Sequence, residues 1–409
     1  MKKLLLILLC FPLISLAQQT YVPDDFFEFT LVNLGYDSIL DDSVLTANIN
    51  TITNLSITNQ NISDLTGIED FVDLEALLLM GNNLTVLDIS NNLLLNTLGC
   101  SLNQLTSIDV SDNILLTNLY LAGNQLGSID ISNNVNLVEL NLANNLLLNI
   151  DISNNLLLNG FGIGTNQLTS LDVSNHTLLS SLSCDDNQLT NLDVSQNTAL
   201  TSLYCSGNQV TSIDVSGATA LTSLYCYNNQ LTSLDVRNGN NTNIQNFDSQ
   251  NNPNLFCIDV DNIALSNVLW GANIDSWSSF STNCVTALGC TDSLACNYNS
   301  IAVINNASCY YYVESFDTVT TNNSYTWLAY NLTVSGDYSD TLTNSVGCDS
   351  IVNLNLTITN TTGLLDIIDD KKNLIKITNN LGQETPYRRN TLLFYIYDDG
   401  TVEKRMFIE

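Results

Sequence analysis

Positively charged side chains are scarce in this sequence. Lysine and arginine together number 10, against 41 aspartates and glutamates, and the formal net charge is −31. Between Leu4 and Asp370 the one basic residue is Arg237; two lysines precede this stretch and seven basic residues follow it. Because an acidic body repels a phosphate backbone, we expect no nucleic-acid partner.

Histidine is nearly absent, since His176 is the one histidine of the chain. We read this residue as a structural substitution within a repeat, so we expect no Ser-His-Asp triad and no histidine-rich metal site. The sequence also lacks a glycine loop that could cradle phosphate and a Gly-x-Ser-x-Gly turn. Its aspartates recur at a fixed interval, which is typical of a structural ladder and not of a single active site. We predict a protein that is not an enzyme and has no catalytic residues.

Long apolar runs are limited to one, from Leu4 to Leu16. This run follows two lysines and leads into Ala17, which predicts a secretory signal peptide over residues 1–17, too short to span a membrane. No other segment is apolar enough to be transmembrane. We therefore expect an exported chain, whose ten remaining cysteines meet an oxidising compartment.

One sequence motif is repeated between Leu74 and Val236. A clear copy runs from Leu200 to Ser216 and contains leucines, an asparagine and a closing Ile-Asp-Val-Ser line. Eight asparagines lie 21 residues apart: Asn82, Asn103, Asn124, Asn145, Asn166, Asn187, Asn208 and Asn229. A fixed period of this length predicts a stacked solenoid, and L-x-x-L-x-L-x-x-N resembles the leucine-rich repeat. The asparagine amides would bond buried backbone groups where each strand turns.

A second period lies inside each coil. Leu84-x-x-Leu87-x-Ile89-x-x-Asn92 repeats the pattern within one coil. The second position is asparagine again in four coils and another residue in three: Asn113, Asn134, Asn155, Asn197, His176, Ala218 and Gly239. We read His176 as a structural substitution in this ladder. A coil of 21 residues has little room for a helix, so we predict two short strands on opposite sides of each coil. The pattern resembles the nested 21-residue bacterial class of leucine-rich repeats.

The fold class predicted for residues 51–249 is therefore a β-rich leucine-rich repeat solenoid. Residues 18–50 would form an N-terminal helical cap, with a helix between Pro23 and Gly35. Its apolar face would consist of Phe27, Leu31 and Leu34.

The segments at both edges of the regular array resemble known repeat proteins. Residues 51–72 are similar to the 22-residue repeat of internalins. Residues 250–285 resemble the C-terminal cap found after such repeats, which implies a disulfide between Cys257 and Cys284 over the last coil.

Two small modules follow, and we expect both to be rich in β structure or turns. Residues 286–309 resemble a module common in secreted proteins of Bacteroidetes, which implies a bond between Cys290 and Cys309. Residues 310–361 alternate apolar and polar side chains, which predicts a small β unit. This unit is similar to a Bacteroidetes surface repeat with a Gly-Cys-Asp line, of which one cysteine is absent here. No obvious partner is predicted for the two remaining cysteines, Cys296 and Cys348.

Residues 362–409 contain the seven late basic residues. Their closing line, from Leu393 to Arg405, resembles the C-terminal sorting domain of type IX secretion substrates. The resemblance implies a small β unit that directs passage across the outer membrane through the type IX secretion machinery, followed by surface attachment or release. The alternative is an ordinary basic β domain.

Four cysteines occupy the same apolar position in four copies of the repeat: Cys100, Cys184, Cys205 and Cys226. Neighbouring copies of this position would lie about 5 Å apart. The parallel side-chain directions are unfavourable for a disulfide, so we predict a ladder of buried thiols. The alternative is one bond among the last three cysteines.

An aspartate recurs at the end of the second pattern and should point to solvent, forming a row: Asp88, Asp109, Asp130, Asp151, Asp172, Asp193, Asp214 and Asp235. Adjacent charges repel by about 0.8 kcal/mol in water, which the neighbouring serines could offset by hydrogen bonding. Arg237 would cap the row at its end. The alternatives are a solvated row without cofactor and a calcium site, for which Asp172, Asp193 and Asp214 are the candidates.

The outward positions of the first strand vary between coils, as those of a recognition surface would. They include Tyr120, Asp185, Tyr204, Tyr225 and Tyr227, whereas Gly160, Gly162 and Gly164 would leave a bare patch. Aromatic residues on a rigid face are favoured contact anchors. The alternative is that the tyrosines pack only against each other.

The function predicted from these features is binding or adhesion at the cell surface by an exported, non-catalytic protein. Its ligand would be a surface protein or glycan, held on the tyrosine-bearing face. The alternative is a structural spacer or matrix component of the cell surface, in which the repeats supply only stiffness.

Overall fold

The computed structural model describes residues 18–343, 348–359, 373–379, 381–386, 392–398 and 400–405. The predicted signal peptide and much of the predicted sorting domain lie outside the described residues. The chain divides into two compact units, Met1–Val285 and Thr286–Glu409. Each is described by itself.

The first unit is a solenoid built on one parallel sheet of ten strands, here called the main sheet. Because each coil repeats the same residue pattern, the apolar centre of each strand lies beside that of the next; Leu203 pairs with Leu182 on one side and Leu224 on the other. These three leucines are fully buried. The strands are Asn54–Ser56, Ala76–Leu78, Thr97–Gly99, Asn118–Tyr120, Glu139–Asn141, Gly160–Gly162, Ser181–Ser183, Ser202–Tyr204, Ser223–Tyr225 and Asn246–Asp248. The solenoid prediction is confirmed.

The opposite side of the coils departs from the prediction of a second strand in every coil. A second parallel sheet is present only towards the C-terminal end, and its strands are Ser212–Asp214, Ser233–Asp235, Cys257–Asp259 and Ser279–Ser281. In the earlier coils a side chain makes the inter-coil bond instead: Asn113 donates its Nδ2 to the carbonyl oxygens of Ile89, 3.1 Å away, and Asn92, 3.0 Å away. The backbone ladder begins in the coils where Ala218 and Gly239 replace that asparagine.

The ladder of eight asparagines is buried and holds adjacent coils together. Asn166 shows the pattern: its Oδ1 accepts the backbone N–H of Leu147 in the preceding coil at 3.0 Å, and its Nδ2 donates to the carbonyl oxygens of Leu142 and Ile163. Each amide thus satisfies backbone groups that would otherwise be buried without partners.

A short sheet and a helix cover the N-terminal end of the solenoid. Strand Gln19–Tyr21 pairs antiparallel with Ser43–Leu45, and the helices are Asp25–Asn33 and Thr46–Ile49. The carboxylate of Asp24 accepts the N–H groups of Phe26 and Phe27, which starts the first helix. The same carboxylate accepts N–H groups of Ser63 and Asp64 in the first coil.

The apolar face of this helix is smaller than predicted. Phe27 and Leu31 are fully buried, but Leu34 is 45% exposed. The helix ends at Asn33, and Leu34 is the residue that follows it as the C-cap.

The C-terminal end of the solenoid is closed by aromatic packing. Helix Ile263–Trp270 presents the buried Trp270, whose ring stacks on Phe247 at 4.7 Å and meets Phe280 edge-on at 6.1 Å. Cys257 is bonded to Cys284, the pair expected from the cap resemblance. Short elements complete this unit: Ile68–Asp70 and Asn241–Asn243 are 3-10 turns, and the helix Cys284–Ala287 begins in this unit and ends in the second.

The second unit consists of small sheets. Its strands are Leu288–Gly289 and Ile304–Asn305, then Glu314–Thr321, Tyr325–Trp327, Tyr330–Leu332, Gly336–Thr343 and Asp349–Ile358, then Leu374–Thr378, Leu393–Tyr397 and Val402–Arg405. Cys290 is bonded to Cys309, as expected, and Cys296 is bonded to Cys348, a pair for which the sequence offered no clear prediction. None of the helices in the described parts of the chain is long and apolar enough to cross a membrane.

Candidate functional site

The aspartate row lies on the side opposite the main sheet, and seven of its eight members are exposed, Asp235 being half-buried. From Asp88 to Asp214, each carboxylate accepts the backbone N–H of the serine two residues later at 2.9–3.0 Å. Hydrogen bonds from Ser132 hold the pKa of Asp130 below its ordinary value, and the charge of Asp151, which acts in the opposite direction, is the weaker effect. At Asp130, local hydrogen bonding therefore outweighs the repulsion from the neighbouring aspartate.

Arg237 does not end the row but joins two of its members. Its Nε and Nη2 donate to Asp235 at 2.9 and 2.5 Å, and its Nη1 lies 3.6 Å from Asp259. Asp259 is the register partner of Asp235 in the second sheet, so the acidic row continues one strand further than predicted. Burial would raise the pKa of Asp235, but the hydrogen bonds and charge of Arg237 lower it overall.

A calcium site at Asp172, Asp193 and Asp214 stays a prediction, which a calcium titration of thermal stability can test. Among the described residues, three carboxylates with oxygens within 4.8 Å of one another occur elsewhere, at Glu28, Asp37 and Asp41 near the N-terminal helix. The Asp row instead repeats one local arrangement in each coil.

The four repeat cysteines and His176 are parts of the core. Cys100, Cys184, Cys205 and Cys226 are buried and free, as in the predicted thiol ladder, and the alternative bond among them is not formed. Burial raises the pKa of the Cys100 thiol to about 12, so this thiol stays protonated and unreactive. His176 is buried, with its Nε2 3.1 Å from the carbonyl oxygen of Ile152. This is the second-ladder position predicted for it.

The solvent face of the main sheet brings three of the four predicted tyrosines together. Tyr204 and Tyr225 are register partners on neighbouring strands, and their rings stack at 5.3 Å with an angle of 10° between planes. Tyr227 follows two residues after Tyr225 and is 36% exposed. These three residues are called the tyrosine patch. Tyr120 lies four strands away from Tyr204 in the sheet and does not belong to it.

Acidic side chains flank the tyrosine patch. Asp248 is the register partner of Tyr225 on the following strand, a neighbour that the sequence did not reveal because this coil is two residues longer. On the other side lies Asp185, whose Oδ1 accepts the hydroxyl of Ser183 at 2.5 Å. The patch is therefore aromatic at its centre and negatively charged at its edges.

The glycine patch is not bare. A Cβ atom on Gly164 would lie 2.8 Å from the carboxylate of Asp185, and one on Gly162 would lie 3.1 Å from the amide oxygen of Asn141. The carboxylate of Glu139 lies over Gly160 in the same way. Because glycine has no side chain, these positions leave space for polar groups of neighbouring coils. The sequence of a single coil does not indicate this contact.

The comparisons with known proteins agree with the repeat pattern. Residues 198–239 match the family model described as Leucine Rich repeats (2 copies). None of the curated proteins matches the chain. The matched segment contains Tyr204, Tyr225 and Tyr227, so the tyrosine patch lies on leucine-rich repeats.

Several solved structures are similar to the chain. The functional domain of InlJ from Listeria monocytogenes, described as including a cysteine ladder, is 22% identical, with 96% of this chain and 99% of that chain covered and a TM-score of 0.40. A leucine-rich repeat protein of Leptospira interrogans is 22% identical over 57% of this chain and 69% of that chain, with a TM-score of 0.43. YopM from Yersinia pestis, a leucine-rich effector protein, is 22% identical over 51% and 54%, with a TM-score of 0.37.

Proposed function

We propose that this leucine-rich repeat protein is an exported, non-catalytic surface protein that binds a protein partner through the tyrosine patch. The observation that carries the proposal is the stacked pair of Tyr204 and Tyr225 on a rigid parallel sheet, with the exposed Tyr227 beside it. Such a surface needs little reordering on binding, because its strands are fixed by the coils on both sides. Tyrosine supplies apolar area and a hydroxyl at low entropic cost, which favours it as an anchor.

The charge around the patch indicates what kind of protein surface fits it. Asp185 and Asp248 flank the aromatic centre, and the solenoid carries one basic residue, Arg237, which is paired with aspartates on the opposite side. A partner that presents an apolar or aromatic centre with lysine or arginine at its rim would be complementary. Between the two ligand classes considered from the sequence, a basic protein surface is the one that we propose.

The patch can be tested by removing its rings together. The triple variant Tyr204→Ala, Tyr225→Ala, Tyr227→Ala should weaken binding of a partner isolated from host, algal or bacterial surface extracts by at least about 30-fold, since hot-spot side chains contribute about 2 kcal/mol or more. Binding would be measured by surface plasmon resonance. Tyr120→Ala is the matched control, because Tyr120 faces solvent in the same column of the sheet, four strands away.

Two outcomes would contradict this proposal. Unchanged affinity of the triple variant, with unchanged melting temperature, would show that the tyrosines only pack against each other. The absence of any ligand-dependent shift in melting temperature across a protein and glycan panel would favour the alternative, a structural spacer of the cell surface.

We also propose that residues 1–17 and 362–409 direct export, through a signal peptide and the type IX secretion machinery. The three disulfides support an oxidising destination. Deleting residues 362–409 should retain the protein in the periplasm and remove it from the cell surface or medium, as measured by fractionation and immunoblotting. Surface display that persists after this deletion would contradict the proposal.

A further inference from the structure

The second unit contains an open cavity of about 500 Å³. No residue of the tyrosine patch or of the aspartate row lines it. Its walls come from the three-stranded sheet Glu314–Thr321, Asp349–Ile358 and Gly336–Thr343, from the hairpin of residues 325–332, and from the edge of the last sheet. The volume falls within the range of about 300–1,000 Å³ that is typical of small-ligand sites.

Aromatic rings form one part of this cavity. Trp327 and Tyr330 are register partners on the two strands of the hairpin, and the ring of Trp327 lies 6.4 Å from that of Tyr338 at an angle of 53°. Because the rings of Trp327 and Tyr338 are tilted relative to each other, they do not stack, and their faces are not covered by one another. Tyr330 is 56% exposed, and Phe316, on the first strand of the three-stranded sheet, is 74% exposed. Exposed rings of this size are available for contact with an apolar ligand surface.

Neutral hydrogen-bonding groups form another part. In the three-stranded sheet, Asn353 lies in register between Phe316 and Ser339, and Asn355 lies in register beside Asp337. The Nδ2 of Asn355 donates to Asp337 at 2.6 Å, which fixes that amide and leaves its oxygen available. Ser339 has no side-chain partner among the described residues.

Negatively charged side chains outnumber positively charged ones in the lining of the cavity. Asp317, Asp337 and Asp340 line the cavity, whereas Lys404 is its one basic lining residue. An anionic ligand would meet this excess of carboxylates unfavourably.

From this combination we propose that the cavity is a binding site for neutral saccharides. The C–H face of a sugar ring packs against an aromatic face, and sugar hydroxyls can donate to carboxylate and amide oxygens and accept from a hydroxyl such as that of Ser339. A site for an organic cation would need the rings and carboxylates but would have no use for Asn353, Asn355 and Ser339. The aspartates exclude sialylated, sulfated and uronic-acid glycans.

The experiment uses the full chain on a glycan array, with choline and amine-bearing peptides as further probes. The prediction is binding of one or more neutral glycans that weakens at least tenfold in Tyr330→Ala and in Asn353→Ala. Both residues are partly exposed, so the variants should remain folded, which circular dichroism and the melting temperature check. Tyr312→Ala is the matched control, because Tyr312 is 64% exposed in the same unit and does not line the cavity.

Loss of the tyrosine patch should leave this glycan binding unchanged, so the two proposals can fail separately. The saccharide site is overturned if no neutral glycan binds, if sialylated or sulfated glycans or choline bind instead, or if Tyr312→Ala weakens binding as much as Tyr330→Ala does.

Discussion

At the scale of single residues, the ladder asparagines decide whether one coil can stack on the next. A parallel stack leaves backbone groups at each turn inside an apolar column, and a side-chain amide supplies both a donor and an acceptor to them. The sequence alone predicted this role, because an asparagine fixed at every 21st residue among leucines has few other uses. It could not predict which residues cover the glycines, since Glu139 and Gly160 meet only after the coils have stacked.

Replacing one ladder amide should be costly. Asn166→Ala leaves the buried N–H of Leu147 and at least one carbonyl without a partner, and we expect a loss of about 3 kcal/mol in the free energy of unfolding. Urea denaturation followed by circular dichroism measures this loss. Gln167→Ala is the control, because Gln167 is exposed and its side chain has no partner among the described residues. Equal stability of the two variants would contradict the role assigned to the ladder.

At the scale of elements, the two sides of a coil are built differently. The main sheet has a strand in every coil, but the second sheet has four strands, all towards the C-terminal end, and its first two strands precede Ala218 and Gly239, which replace the second asparagine. Sequence periodicity could show that both sides are regular. It could not show whether a side chain or the backbone makes the bonds between coils, because both solutions require the same alternation of apolar residues.

The aspartate row gives this side a defined response to acid. The pKa of Asp109, Asp130 and Asp151 is lowered from the ordinary 3.8, mainly by hydrogen bonds from the serines that follow them. A lowered pKa in the folded state means that the stabilisation is present above about pH 3.8 and is lost as the pH falls through the folded values. Stability should therefore decrease with acidification below about pH 4.

The triple variant Asp109→Asn, Asp130→Asn, Asp151→Asn should show a shallower decrease, since asparagine keeps the serine contact without titrating. Urea midpoints measured at several pH values compare it with Asp112→Asn, an exposed carboxylate outside the row. A rise in stability on acidification of the unmodified protein would mean that repulsion, and not hydrogen bonding, dominates the row.

At the scale of the whole molecule, the leucine and asparagine periods predicted the solenoid, and the two disulfides implied by resemblance are formed. The tyrosine patch was predicted in part: Tyr204, Tyr225 and Tyr227 come together, whereas Tyr120 lies apart. The cavity of the second unit was not predicted, because Phe316, Trp327 and Tyr330 lie on separate strands whose arrangement no local motif specifies. The periodic sequence of a repeat array predicts how its coils stack, whereas the sequence of an irregular module does not predict how its strands are arranged.

The central claim is that the solvent face of the main sheet is the binding face, and site-specific photo-crosslinking tests it most directly. A photoreactive amino acid would be placed at Tyr227 in one variant and at Val86, an exposed residue on the side of the aspartate row, in another. We predict crosslinking to the protein partner from position 227 and none from position 86. Crosslinking from position 86 alone, or equally from both, would contradict the claim.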